Sequence, residues 1–153
     1  MDDNKFSTAD KVNLYKVDVE RLSKYLPWLN NVNGGNLRQA IVPEQGGAGS
    51  LRVPVYDSTL LNFIKEFQKT NFLNKNYVYT YSRYRIKDYK DELKLIENAD
   101  INSMSVIGDI LSMYVIKGMR KSMIWNQGIE YGVYECAVSK MKEIIEYWTR
   151  PGN

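Results

Sequence analysis

Apolar positions recur every three or four residues along most of this chain, a spacing that predicts helices. The first runs from about Thr8 or Asp10 to Leu29, with Leu14, Val17, Leu22 (beside Arg21), Tyr25, Leu26 and Leu29 as its stripe. Asp18 offers a cap for a second start inside it. Pro27 has no N–H and disfavours the α conformation at Leu26, so the helix should end or kink there. After Pro54 a second helix opens, capped by Asp57 or Ser58 and striped by Leu60, Leu61, Phe63, Ile64 and Phe67. Asn71 to Asn76 breaks it. Tyr77-Val78-Tyr79-Thr80-Tyr81 alternates like a strand but also suits a helix start. Helix is expected from about Arg83 onward, because Ile86, Tyr89, Leu93 and Ile96 keep helical spacing.

The clearest pattern lies in residues 100–149. Asp100, Asn102 and Ser103 offer caps, and Met104, Ile107, Leu111, Tyr114 and Val115 form one apolar face. Lys117-Gly118-Met119-Arg120-Lys121 ends that helix, and Asn126-Gln127-Gly128 marks a break. Val133, Ala137, Met141, Ile144 and Trp148 then form a second face. Two such faces bury each other most economically as an antiparallel pair. Residues 30–53 differ, holding Gly34, Gly35, Gly46, Gly47 and Gly49 of the chain's ten glycines. They read as a long Gly-rich loop in which Ala40-Ile41-Val42 and Leu51-Arg52-Val53 are able to pair as a short β-hairpin. The expected fold is a single, mainly α domain over residues 1–153, a compact set of about five helices with this loop between the first two.

Composition changes the picture chiefly by what is missing. Apolar residues make up 44% and charged residues 25%, ordinary for a globular protein. There is no histidine, which removes the commonest general base and metal ligand, and a single cysteine, Cys136, allows no internal disulfide. A Ser-His or Cys-His hydrolase is excluded, and no cofactor or metal is expected. Carboxylate pairs such as Asp91/Glu92 and Glu143/Glu146 read as solvated helix faces. Cys136 reads as buried and inert, and Trp28, Trp125 and Trp148 as packing anchors, with Trp125 the most exposed. The polar, partly acidic Met1–Asp10 is unlike a signal peptide, no apolar run is long enough to span a bilayer, and a lone thiol suits a reducing cytoplasm.

Two constellations carry candidate chemistry. Residues 75–90 interleave Tyr77, Tyr79, Tyr81, Tyr84 and Tyr89 with Arg83, Arg85, Lys87 and Lys90, against the lone acid Asp88. Tyr and Arg are enriched at protein hot spots, and the same mixture can stack bases and hold phosphates. The alternative is a half-buried element whose rings line the core. The second is Lys117, Arg120 and Lys121, either a helix end that complements the macrodipole or a clamp for a phosphate, carboxylate or acidic patch. Trp125 adjoins it in the chain. A net charge of +3 is mild for a protein devoted to nucleic acid.

Pro54-Val55-Tyr56-Asp57 followed by Leu61-Asn62-Phe63-Ile64 resembles the entry to the central helix of a small bacterial family, common in Firmicutes and filed as a domain of unknown function. Asn98-Ala99-Asp100, Lys117-Gly118-Met119-Arg120 and Ile129-Glu130-Tyr131-Gly132 resemble its C-terminal half, so that Val19–Leu29 and Pro54–Trp148 are covered. The family pattern there is Arg-Gly-x-Arg-Phe, then a Gly-His-Trp turn. This chain has Lys117 for the first Arg, Lys121 for the Phe, and Met123-Ile124-Trp125 at the acidic and His positions. The resemblance implies a helical fold, retains the cationic pair Lys117 and Arg120, and transfers no activity. The functional expectation is a non-enzymatic cytoplasmic protein that binds a protein partner, in the manner of a phage or mobile-element accessory inhibiting a host complex. A nucleic-acid or phosphorylated-ligand binding domain is the alternative, and a homo-oligomer is compatible with either. The expected contact residues are Tyr79, Tyr81, Arg83, Tyr84, Arg85, Lys87, Lys117, Arg120, Lys121 and Trp125.

Overall fold

The computed structural model describes residues 7–32 and 58–150, so residues 33–53 of the expected loop, with the proposed hairpin, lie outside the described part. Within it the chain is helical, with no strand: α1 (Thr8–Ser23), α2 (Leu26–Val32), α3 (Ser58–Gln68), α4 (Tyr77–Arg83), α5 (Tyr89–Glu97), a 3-10 turn (Ile101–Ser103), α6 (Met104–Gly118), α7 (Met123–Glu130) and α8 (Val133–Thr149). The about five expected helices become eight because three segments read as ends, turns or strand-like form helices of their own: α2, α4 and α7.

Each revision has a local cause. Pro27 does interrupt the first helix, but it sits in the first turn of α2, where its missing N–H removes nothing. The helix then continues through Asn30 to Val32 rather than giving way to loop. Tyr77–Tyr81 is helical, and the helix ends at Arg83 instead of beginning there. The stop is a Schellman pair: Ile86 N–H donates to Tyr81 O at 3.0 Å and Arg85 N–H to Ser82 O at 3.3 Å, with Arg85 at φ 55°. Glycine normally fills that left-handed position, so the stop left no glycine signal in the sequence. Asn126-Gln127-Gly128 stays helical inside α7, and the turn falls at Gly132, whose φ of 73° suits glycine.

Helix α6 is the axis of the fold. Met104, Val106, Ile107, Ile110, Leu111, Tyr114 and Val115 are all buried, and so are Gly108, Asp109 and Ser112 between them. The expected face is therefore buried, but it is one part of a helix enclosed nearly all round. Around it pack α3, α4, α5, α7 and α8, while α8 lies against α1, α2 and α5 as well as α6 and α7. The two C-terminal stripes, expected to bury each other, do meet, but each is shared with several other helices. Val133, Ala137, Met141 and Ile144 are buried as expected; Trp148 is exposed.

The register of α1 differs from the expectation. Val12, Val19 and Leu22 are buried and Tyr15 half-buried, whereas Leu14 and Val17 face outward. Asp18 caps nothing; it is buried, and its carboxylate accepts the Asn71 N–H at 2.8 Å. The true N-cap is Ser7, in a reciprocal capping box with Asp10 at 3.1 Å each way.

Two glycines on buried helix surfaces are needed for space. A Cβ on Gly128 would lie 2.2 Å from the Tyr134 ring, and one on Gly118 would lie 2.0 Å from the Trp125 ring. Tyr134 is fully buried and its hydroxyl donates to Trp125 O at 2.8 Å, so its ring has nowhere to go. Alanine would gain about 1 kcal/mol of helix propensity, but overpacking a fixed ring costs about 1–3 kcal/mol. Gly128→Ala is expected to lower the urea midpoint, and by more than Gly118→Ala, whose Trp125 neighbour is only half-buried. Equal or higher midpoints in both variants would show that these rings can yield.

Candidate binding faces

The buried polar groups of α6 fix where its neighbours sit. Asp109 accepts from Asn74 Nδ2 at 2.9 Å and from Thr80 Oγ1 at 2.5 Å. Ser112 Oγ accepts the Asn74 N–H at 2.9 Å and lies 2.8 Å from Gly108 O and 3.2 Å from Phe72 O. Tyr15 stacks on Phe72 with centroids 5.0 Å apart, and the Asn71 N–H is held by Asp18. The segment between α3 and α4 is thereby tied to both α1 and α6, which sets the position of α4.

A third anchor is the Glu92 carboxylate on α5. It is buried and takes hydrogen bonds from the hydroxyls of Tyr81 (2.7 Å) and Tyr114. Among the described residues no cation pairs with it. Burial pushes its carboxyl above the ordinary 4.5, against the opposing pull of the Tyr114 and Tyr81 hydroxyls. Burial and then the neighbouring carboxylate push the Tyr81 hydroxyl far up; Tyr114 is raised by burial and by its bond to Glu92. Glu92 was expected on a solvated face. Its spacing from Tyr89 and Ile96, three and four residues, places it on the apolar stripe and was the signal available in the sequence.

With Tyr77, Thr80 and Tyr81 turned inward, α4 presents its other side. Tyr79 is 72% exposed, Val78 56% and Tyr84 44%. Ser82, Arg83, Arg85 and Lys87 are exposed beside them, as are Lys75 and Lys90. None of these cations forms an ion pair among the described residues. The nearby acids are engaged locally: Asp88 caps α5 through the N–H groups of Lys90 and Asp91, and Asp91 accepts the Lys87 N–H at 2.9 Å. Of the expected contact residues here, Tyr79, Arg83, Tyr84, Arg85 and Lys87 come together on one exposed helix and turn. Tyr81 does not join them, because its hydroxyl is spent on Glu92.

The second cluster lies elsewhere. Lys117, Arg120 and Lys121 are exposed around the α6–α7 corner, and no ion pair among the described residues engages them. Thr80 reaches α6 at Asp109, eight positions before Lys117, or about 12 Å along the axis at 1.5 Å per residue. Trp125 was expected to be the most exposed tryptophan. It is half-buried over Gly118, with Nε1–H donating to Val115 O at 3.0 Å, and Trp148 is the exposed one at 41%. Cys136 is half-buried, and burial raises its thiol.

Among the described residues no three Cys, Asp or Glu side chains converge as metal ligands, and no helix is long and apolar enough to cross a membrane. Comparison with protein-family models, curated proteins and solved structures finds no match to this chain. The likeness to the helical family of unknown function therefore rests on the short motifs that suggested it.

The raised Glu92 carboxyl gives a pH signature. A carboxyl raised in the folded state contributes its full stability below the unfolded value near 4.5, and loses it as pH climbs through the folded value. Glu92→Gln removes that titration while keeping a polar group for the tyrosines. The variant's chemical-denaturation midpoint should fall less than the wild type's as pH rises upward from about 4.5. Parallel midpoint curves would show that Glu92 keeps its ordinary acidity.

Proposed function

We propose that this protein is a non-enzymatic binder whose principal contact face is the outer side of α4 and the turn to α5. The observation that carries this reading is the exposure of Tyr79 at 72% beside Val78, Tyr84 and the cations Arg83, Arg85 and Lys87, which form no ion pair among the described residues. Tyr and Arg provide large contact area and forked donors, and an uncovered aromatic–aliphatic pair costs solvation until a partner covers it. Val78 tips the balance toward a protein partner over nucleic acid, since a phosphate backbone gives an aliphatic side chain nothing to contact. The partner's matching surface carries carboxylates.

Arg85 supports the same reading. A non-glycine residue at φ 55° costs about 1 kcal/mol relative to glycine, and the position gives Arg85 no ion pair among the described residues to offset that. A contact role explains retention of a side chain there. A cytoplasmic accessory of a phage or mobile element, blocking a host complex by occupying it, fits the absence of histidine and this surface-borne chemistry.

Arg85→Gly separates stability from binding. It should raise the denaturation midpoint by the equivalent of about 1 kcal/mol while weakening capture of the partner from host extract. Tyr79→Ala with Arg83→Ala should deplete the captured protein about tenfold or more. Capture unaltered in all these variants would remove α4 as the contact face. Retention of oligonucleotides in a salt-dependent gel shift, lost in the same variants, would transfer the face to nucleic acid.

A further inference from the structure

A second surface with a different shape lies between α3 and the α6–α7 corner. Leu61, Ile64, Lys65 and Gln68 of α3 face Met119 and Trp125 across a groove of about 300 Å³. Ile64, at 3% exposure, belongs to the core, while Met119 at 63% forms an outer lip. Gln68 Nε2 lies 3.4 Å from the Met119 sulfur, closing one part of the rim. Volume and lining suit one or two bulky apolar side chains, and a methionine lip can adjust to different ones.

Among the described residues the charge lining this groove has one sign. Among the described residues Lys65 is the one charged residue lining it, and Lys117, Arg120 and Lys121 flank Met119 in the chain, exposed and without ion pairs among the described residues. The carboxylates of the same helices are engaged away from it. Glu66 lies 3.7 Å from Arg21 of α1, and Glu130, at the far end of α7, accepts from Asn126 Nδ2 at 2.5 Å. An apolar slot lined by Lys65, with the cationic α6–α7 corner beside Met119, complements an apolar anchor set among acidic residues. Nucleic acid would satisfy the border and leave the slot empty.

We infer that the α3/α6–α7 groove is a docking site for an acidic segment of a partner protein that seats a Leu-, Met- or Phe-sized side chain on Ile64 and Trp125. Carboxylates on either side of that anchor meet Lys65 and the Lys117–Lys121 corner. The site shares with the preceding proposal the idea of a protein partner but uses no residue of the α4 face, so either can fail without the other.

Selection of a randomised, displayed peptide library against the full chain tests it. Enriched peptides should share acidic residues around one bulky apolar position. Their binding, followed by fluorescence anisotropy, should weaken about tenfold or more in Lys65→Glu/Arg120→Glu and persist in Tyr79→Ala/Arg83→Ala. Circular dichroism checks that the charge-reversed protein is folded, and peptides with acids exchanged for lysine should regain binding to it. Basic or neutral consensus sequences, binding indifferent to charge reversal, or loss of binding only in the α4 variant would each overturn the inference. So would the absence of any enrichment.

Discussion

Helix α6 has almost no solvent face, and the rest of the structure follows from having to cover it. Its apolar residues draw in α3, α4, α5, α7 and α8, but they would tolerate many arrangements of those helices. Its polar residues tolerate far fewer. Asp109 and Ser112 are buried and accept from outside the helix; Asn74 and Thr80 supply the donors, while the Ser112 hydroxyl proton is met by Gly108 O within α6 and by Phe72 O. Leaving one such group unsatisfied costs about 1–3 kcal/mol, enough to fix the register of the segment before α4. Tyr114 repeats the device one turn further on, with Glu92 of α5 as its partner.

That inner requirement decides what the outer surface shows. Thr80 and Tyr81 must face inward to reach Asp109 and Glu92, so the helical period turns Val78, Tyr79, Ser82 and Arg83 outward. The aromatic–cationic face is thus held by two buried carboxylates, one on each neighbouring helix. A short helix of seven residues has little stability of its own, and these anchors are what make it a rigid platform. In the proposed binding role, a face held this way loses less entropy when a partner orders its side chains.

The periodic part of the fold could be read directly from the chain: the stripes of α3, α6 and α8 are buried where the spacing places them, except for the half-buried Leu61 and the exposed Trp148. The failures cluster where one residue's chemistry outweighs the period. Arg85 stops a helix in a conformation that glycine usually marks, so the α4–α5 boundary was displaced. Gly128 reads as a breaker, yet its lack of a Cβ makes room for the Tyr134 ring. In α1 the choice between a stripe on Leu14 and Val17 and one on Val12 and Val19 depends on which face meets α8 and Phe72. That is a tertiary fact, and no local pattern contains it. Among the contact candidates, Tyr79 and Tyr81 look equivalent in sequence and are separated only by the position of Glu92.

A buried carboxyl with a raised pKa is a common mark of an acid catalyst, so Glu92 has to be weighed against the proposed binding role. A catalytic acid must reach a substrate atom, and it needs an oxygen free to deliver or accept the proton. Here each carboxylate oxygen is taken by a tyrosine hydroxyl, and the tyrosines themselves are held far from ionisation. Four grooves on the described surface are lined by other side chains. The arrangement does what a buried hydrogen-bond network does best, selecting one packing of α4, α5 and α6 from several of similar apolar content. Chemistry spent on holding helices in place accords with the proposed reading, in which recognition falls to the exposed tyrosines and to arginines and lysines unpaired among the described residues.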